Sequence, residues 1–188
     1  MATPTRLLTA EEFFELPEPP EGGKMELVDG EVVCMAPAGG EHGGVAVRLG
    51  SAFDWYVRKN NLGRVGVEIG YRLRGSIRTG SDAPDVSFVR ADRLPEGRLP
   101  RTFLEGPPTL AVEVVSPNDV DADVAGRVEE YLAAGAERAW VVRPVQRTIT
   151  VHWPNGDAHT YRSADVLGSG DAAFSIDGFE LAVDDVFA

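Results

Sequence analysis

Asp85 follows Pro84 at the start of the stretch PDVSFV, and Glu113 stands inside TLAVEVV, a run that is otherwise apolar or β-branched. A carboxylate buried without a partner costs on the order of several kcal/mol, or it takes up a proton. A neighbouring cation removes that penalty. If the two stretches are adjacent strands, Asp85 and Glu113 point to one place and form a hard-oxygen site that suits Mg2+ or Mn2+. Strand alternation favours this geometry, because Val112 and Val114 then face opposite to Glu113 and stay in a core. The residues alone leave two other fates for Glu113: an exposed position on an edge strand, or an ion pair with an arginine.

The elements that must hold these acids follow from pattern. TAEEFFEL carries Thr9 and Glu12 at capping-box spacing and predicts a short helix. MELVDGEVVCM predicts a hairpin with Asp29-Gly30 at its turn. In GGEHGGVAVRLGSAFDWYVRKN, the positions Val45, Leu49, Phe53 and Val57 mark one face of a long helix. RVGVEIGYRL predicts a strand or a bent pair, with Gly66 and Gly70 allowing bulges. The Pro, Gly and Arg-rich stretch 92–108 reads as a loop. TLAVEVV is apolar on both faces and predicts a central, doubly covered strand. DVAGRVEEYLAAGA predicts a helix with Asp123 as N-cap, Gly135 past its end and a stripe of Val124, Val128, Tyr131 and Leu132. RAWVVRP and RTITVHWP read as strands, and Asn155-Gly156 as a second hairpin turn into DAHTYR. The order predicts an α/β (α+β) fold, a mixed central sheet flanked by helices, with residues 1–188 as a single domain.

Composition narrows the classes. The chain has 188 residues, 43% of them hydrophobic, which is enough for one sizeable core. No apolar run approaches the roughly 20 residues of a membrane span. The N-terminus MATPTRLLTAEEFFEL lacks a charged-then-apolar leader pattern, so the expected location is cytoplasmic. Cys34 is the only cysteine, which excludes an internal disulfide and a cysteine-based zinc site, and it reads as a buried small hydrophobe. The net charge of −12 argues against a passive nucleic-acid coat. Even so, Arg58, Lys59, Arg64, Arg72, Arg74, Arg78, Arg90, Arg93, Arg98 and Arg101 gather in residues 58–101. They read either as a phosphate-facing patch, with Arg72 and Arg74 as candidate substrate contacts, or as ordinary solvated charge. Trp55, Trp140 and Trp153 read as core or interface packing, and His152 and His159 as surface strand positions.

Several segments, in order, carry a resemblance. MELVDGEVVCMAP, His42 at the start of the long helix, APDVSFV, LAVEVVSPND and DVAGRVEEYLAAGAERAWVVRP together span roughly residues 9–155. This arrangement resembles the Uma2 family of restriction-endonuclease-like proteins, within the PD-(D/E)XK nuclease superfamily. The resemblance implies a nuclease core that hydrolyses phosphodiester bonds in DNA with Mg2+ or Mn2+. It makes Asp85 and Glu113 metal ligands, adds Glu26 as a further acid, and offers the carbonyl of Val114 or Val115 to the coordination. His42 falls near the site, where it would bind substrate or orient water, although a local hydrogen bond at the helix start accounts for it equally well.

Two positions depart from the family pattern. The superfamily lysine normally stands two residues after the Glu, where this chain has Val115. In this family it typically moves to the next helix as Asp-x-x-x-Lys-x-x-x-Tyr, which here reads Asp123, Arg127 and Tyr131. Arg127 is always charged and cannot act as a base, but it can stabilise charge on a phosphorane-like state. Arg143 stands where the family more often has Asp before Pro. These departures keep a second reading open: an inactive nuclease-fold protein that binds nucleic acid or dimerises. A third, an acidic structural protein without a site, requires Asp85 and Glu113 to be far apart. Cutting two strands is simplest with two symmetric sites, so a homodimer is expected.

Overall fold

The computed structural model describes residues 7–17, 24–28, 30–35, 39–73, 83–117 and 119–188. The chain begins with α1 (Ala10–Phe14), β1 (Lys24–Val28), β2 (Glu31–Met35), α2 (Gly40–Lys59), β3 (Gly63–Val67) and β4 (Tyr71–Arg72). It continues through β5 (Val86–Arg90), β6 (Leu104–Glu105), β7 (Leu110–Val114), α3 (Asp121–Ala134), β8 (Arg138–Arg143), β9 (Thr148–His152) and β10 (Ala158–Tyr161). It ends with β11 (Val166–Gly168), β12 (Glu180–Ala182) and α4 (Val183–Val186).

The centre is a six-stranded sheet in the order β10-β9-β8-β7-β5-β3. Its pairs are antiparallel except β7 with β8, which run parallel because α3 is the crossover between them. The sheet is therefore mixed and mostly antiparallel. β7 is buried at every position, as a central strand covered on both faces should be. Val112, Val114, Trp140 and Val142 pack with Val45, Leu49, Phe53 and Val57 of α2. On the opposite face, Ala139 and Val141 meet Val124 and Val128 of α3, and Ala111 meets Tyr131. Alternation thus turns Glu113, between Val112 and Val114, towards α3.

The C-terminal segment lies on the α2 side. Phe174 and Phe179 close around Phe53 and Tyr56, and the Trp140 Nε1 donates to the carbonyl of Asp171 at 2.7 Å. Among the described residues no comparable element covers β9 and β10 on the α3 side, where Thr150 and Thr160 sit 2.9 Å apart, Oγ1 to Oγ1.

Local devices follow the sequence in most places. The Thr9 capping box is present in both directions, and Gly135 ends α3 at φ 108°. Gly30 turns the first hairpin at φ 79°, while its partner Asp29 lies outside the described residues. RVGVEIGYRL is a pair of strands in different sheets, not a bulged strand: β3 joins the central sheet and β4 pairs with β6. The reversal falls at Glu68, which takes φ 51°. The 92–108 loop contains β6 and two single 3-10 turns.

Two expectations need correction. α3 starts at Asp121, behind Val120, so Asp123 is a first-turn residue and not the N-cap. Both aspartates still face the positive end of the helix, which favours acids there. Cys34 is exposed, because among the described residues the strands of its hairpin pair only with each other. Trp55 is 64% exposed, with Lys59 Nζ 4.8 Å from its ring centre, so of core and interface packing only the second stays open to it. Trp140 is fully buried as expected. No helix among the described residues is long and apolar enough to cross a membrane.

Candidate active site

The first acid is set by pairing at the end of the sheet. β5 and β7 run antiparallel with Val86 opposite Val112, so Asp85, one residue before β5, falls beside Glu113. The Asp85 Oδ2 accepts the backbone N–H of Val114 at 2.7 Å, which fixes the side chain against the strand that carries the second acid. The same oxygen lies 3.2 Å from Nε2 of His42, delivered by the first turn of α2.

Glu113 is buried, and each of its oxygens meets one donor. Its Oε2 accepts the Arg127 Nε–H at 2.8 Å, and its Oε1 accepts the Tyr131 hydroxyl at 3.0 Å. Arg127 and Tyr131 are four residues apart on α3, so both reach one carboxylate from one helix face. Burial pushes the Glu113 carboxyl up to about 7, and the charge of Asp85 adds to the rise, while Arg127 and Tyr131 pull it down. The hydrogen bonds suit an ionised carboxylate, while burial favours its protonated form. The contact with Asp85 raises His42 above its ordinary 6.5, and burial offsets part of that. Asp119 and Glu68 contribute negative field at His42, and Asp119 also at Arg127.

The structure thus brings together His42, Asp85, Glu113 and Arg127, four of the residues expected from the sequence. The reading that required Asp85 and Glu113 to be far apart fails. Of the two other fates left open for Glu113, exposure on an edge strand fails, and the residue does pair with an arginine, Arg127. Glu26 lies on β1 opposite Val33, and its side chain is outside what is described, as is Arg74. Arg72 is elsewhere: it ion-pairs with Glu11 and with Glu105, and its guanidinium stacks on Phe103. Much of the basic stretch is likewise matched by acids, as with Arg58 and Asp54, Arg90 with Glu137 and Asp92, and Arg98 with Glu96. For those residues the solvated-charge reading fits better than a phosphate patch.

Sequence reasoning missed the role of the Tyr131 hydroxyl: the residue reads there as the last position of the Asp-x-x-x-Lys-x-x-x-Tyr pattern and as part of an apolar stripe, with no task for its oxygen. The available signal was its four-residue spacing from Arg127. It also missed Glu68 and Asp119. Glu68 follows a strand that pairs with β5, and Asp119 is held in place by the Ser116 N–H at 2.7 Å.

A pair of carboxylates beside a fixed guanidinium suits chemistry on a phosphate ester. Among the described residues no group of three or more His, Cys, Asp or Glu is arranged to hold a metal ion. Any cation here would rest on Asp85 and Glu113, with water or substrate oxygens completing its shell. That is the usual arrangement for Mg2+, which binds through one or two carboxylates plus phosphates.

Comparison with known proteins agrees with the fold. A crystal structure of a putative nuclease belonging to DUF820, from Anabaena variabilis ATCC 29413, is similar with a TM-score of 0.77 at 22% identity, over 96% of this chain and 97% of that one. No curated protein matches the chain in sequence. A family model described as Uma2, putative restriction endonuclease, matches residues 10–184. That match runs from the capped first helix into the last one, and the chain belongs to the Uma2 family.

Proposed function

We propose that the protein is a divalent-metal-dependent endonuclease that hydrolyses phosphodiester bonds in DNA. The observation that carries this reading is the meeting of Asp85 and Glu113 at one end of the sheet, with Arg127 2.8 Å from Glu113. Asp85 and Glu113 would hold the ion. When bound, it supplies a water of lowered pKa and Lewis acidity at phosphorus. Asp85 is kept in position by the Val114 N–H, and His42 beside it is placed to orient a water or a phosphate oxygen. Arg127 provides a fixed cation for the charge that builds up at the reacting phosphate. Glu26 is a further acid on the first hairpin. Cutting both strands calls for two such sites, and a homodimer supplies them.

The Arg127–Glu113 pair also favours the second reading. It neutralises a buried acid with no metal, as a nuclease fold kept only for binding or dimerisation would need. Cleavage of supercoiled plasmid in Mg2+ or Mn2+ separates the two. Cutting by the wild type that disappears in Asp85→Asn and Glu113→Gln supports the enzyme. Tight DNA binding without cutting, by the wild type and by Arg127→Lys, overturns it.

A further inference from the structure

We propose that an open groove on β8, β9 and β10, on the α3 side of the sheet, holds backbone phosphates of the nucleic acid strand flanking the Glu113 site. This rests on the nucleic-acid reading above and deepens it by assigning a second contact surface.

The groove encloses about 640 Å³ and is lined by Arg143, Gln146, Arg147, Thr148, Thr150, Thr160, Arg162 and Ser163. Its size is that of a ligand cleft, but its lining is not the largely apolar one that small molecules choose. Guanidinium, hydroxyl and amide groups form it, with no acid among them. In a chain of net charge −12 such a lining is a local reversal. Arginine forks and hydroxyls are the groups that take phosphate oxygens.

Register places the groove relative to the site. Glu113 is opposite Val141, Val141 opposite Thr150, and Thr150 opposite Thr160. These four positions form one row across the sheet. At about 4.8 Å per strand, Thr150 lies about 10 Å and Thr160 about 14 Å from Glu113. At about 3.4 Å of rise per nucleotide, that is roughly three to four nucleotides along one strand. Val141, between them, is covered by Val124 and Val128 of α3, so a backbone engaged at Glu113 reaches the groove past the start of that helix, where Arg143 meets Asp121.

The acids near the groove are on its rim. Asp121 holds Arg143 at 2.8 Å, and Asp184 holds Arg147 at 3.3 Å and accepts from the Ser163 hydroxyl. Asp121 is 79% and Asp184 55% exposed, so these pairs are weak and exchange readily for a phosphate. Arg162 has no ion pair among the described residues.

The test is DNA binding by the full chain in chelator, so that no cutting is required. Fluorescence anisotropy with a duplex of about 20 base pairs is followed across a salt series. Thr160→Glu places a negative charge in the groove and breaks no ion pair. Arg147→Ala with Arg162→Ala removes two cations. Each change is expected to weaken binding about tenfold, and the double change to lower the salt slope by about 2, one unit per lost phosphate contact. Wild-type affinity and slope in these variants would overturn the proposal. Titration with inorganic phosphate separates the sources: an isolated anion site, with DNA affinity unmoved by the variants, also overturns it. If the wild type binds DNA through the groove but never cuts, the nuclease reading fails while the groove stands.

Discussion

Arg127 places its Nε 2.8 Å from Oε2 of Glu113, so a buried strand acid is met by a cation from the helix that follows it. Glu113 is 8% exposed in its side chain and Arg127 23%. Geometry of this kind is worth most when one partner is removed, because the other is left uncompensated. The pair also keeps a permanent positive charge within reach of anything that binds at Asp85. The same residue therefore bears on stability and on the proposed chemistry, and the two roles separate by substitution.

Arg127→Ala should destabilise the protein by about 3 kcal/mol at pH 8 and by less near pH 5, where Glu113 accepts a proton instead. Urea unfolding at both pH values measures this. Arg127→Lys keeps the charge but loses the planar fork, and should cost about 1 kcal/mol. In the plasmid assay, a lysine variant that cuts faster than the wild type marks a lineage drifting from catalysis. Equal destabilisation by alanine at both pH values would show that Glu113 is not what Arg127 compensates.

Tyr131→Phe removes the donor to Oε1 of Glu113 and little else in volume. A buried acceptor left one bond short costs about 1–3 kcal/mol. The midpoint in urea should fall accordingly at pH 8, with the Glu113 carboxyl moved further up. Glu113→Gln made together with Tyr131→Phe should show a smaller tyrosine effect than the single change. Additive costs would mean that the hydroxyl acts elsewhere.

The sequence made the local parts of this site legible and left the long-range parts obscure. Val45, Leu49, Phe53 and Val57 have a helical period, and all four are buried. The strand alternation around Glu113 correctly turned it away from Val112 and Val114. Asp85 and Glu113 were paired correctly because one-residue register on neighbouring strands fixes both. Arg72 defied the same treatment, since its partners Glu11 and Glu105 are far away in sequence and are set by tertiary docking of α1 and β6. Cys34 was misjudged because apolar strand composition does not say whether a hairpin has a sheet behind it. The groove was invisible for the opposite reason: Arg143, Arg147 and Arg162 belong to different strand ends, and only the β8–β9–β10 pairing gathers them.

Divalent metal should stabilise the folded protein if Asp85 and Glu113 bind it. At a metal concentration about 100 times the dissociation constant, the gain is about 2.7 kcal/mol. Thermal unfolding in Mn2+ against chelator reads this as a rise in midpoint of several degrees for a chain of this size. Asp85→Asn should abolish the rise. A wild type whose midpoint is unmoved by Mg2+ and Mn2+ counts against the metal site, whatever the plasmid assay gives.

Stability should fall as pH rises from about 4.5 to about 7, the reverse of a protein held by depressed carboxylates. Burial lifts Glu113 from its ordinary 4.5 to about 7. The folded state therefore binds more protons than the unfolded chain in that window, and unfolding free energy declines across it. One pKa unit is about 1.36 kcal/mol, so the loss attributable to Glu113 is on the order of 3 kcal/mol. His42, raised above 6.5 by its contact with Asp85, contributes with the same sign. Its share is complete below 6.5 and disappears as pH passes its folded value. His152, lowered by burial, works in the opposite direction, so variants are compared with wild type as differences. Denaturant midpoints from about pH 5 to about pH 8 in chelator should show a flattened curve below about pH 7 for Glu113→Gln. His42→Gln should flatten the upper part instead. A wild type that gains stability between about pH 5 and pH 7 would mean that Glu113 ionises as an ordinary carboxylate, and that Arg127 outweighs the cost of burying it.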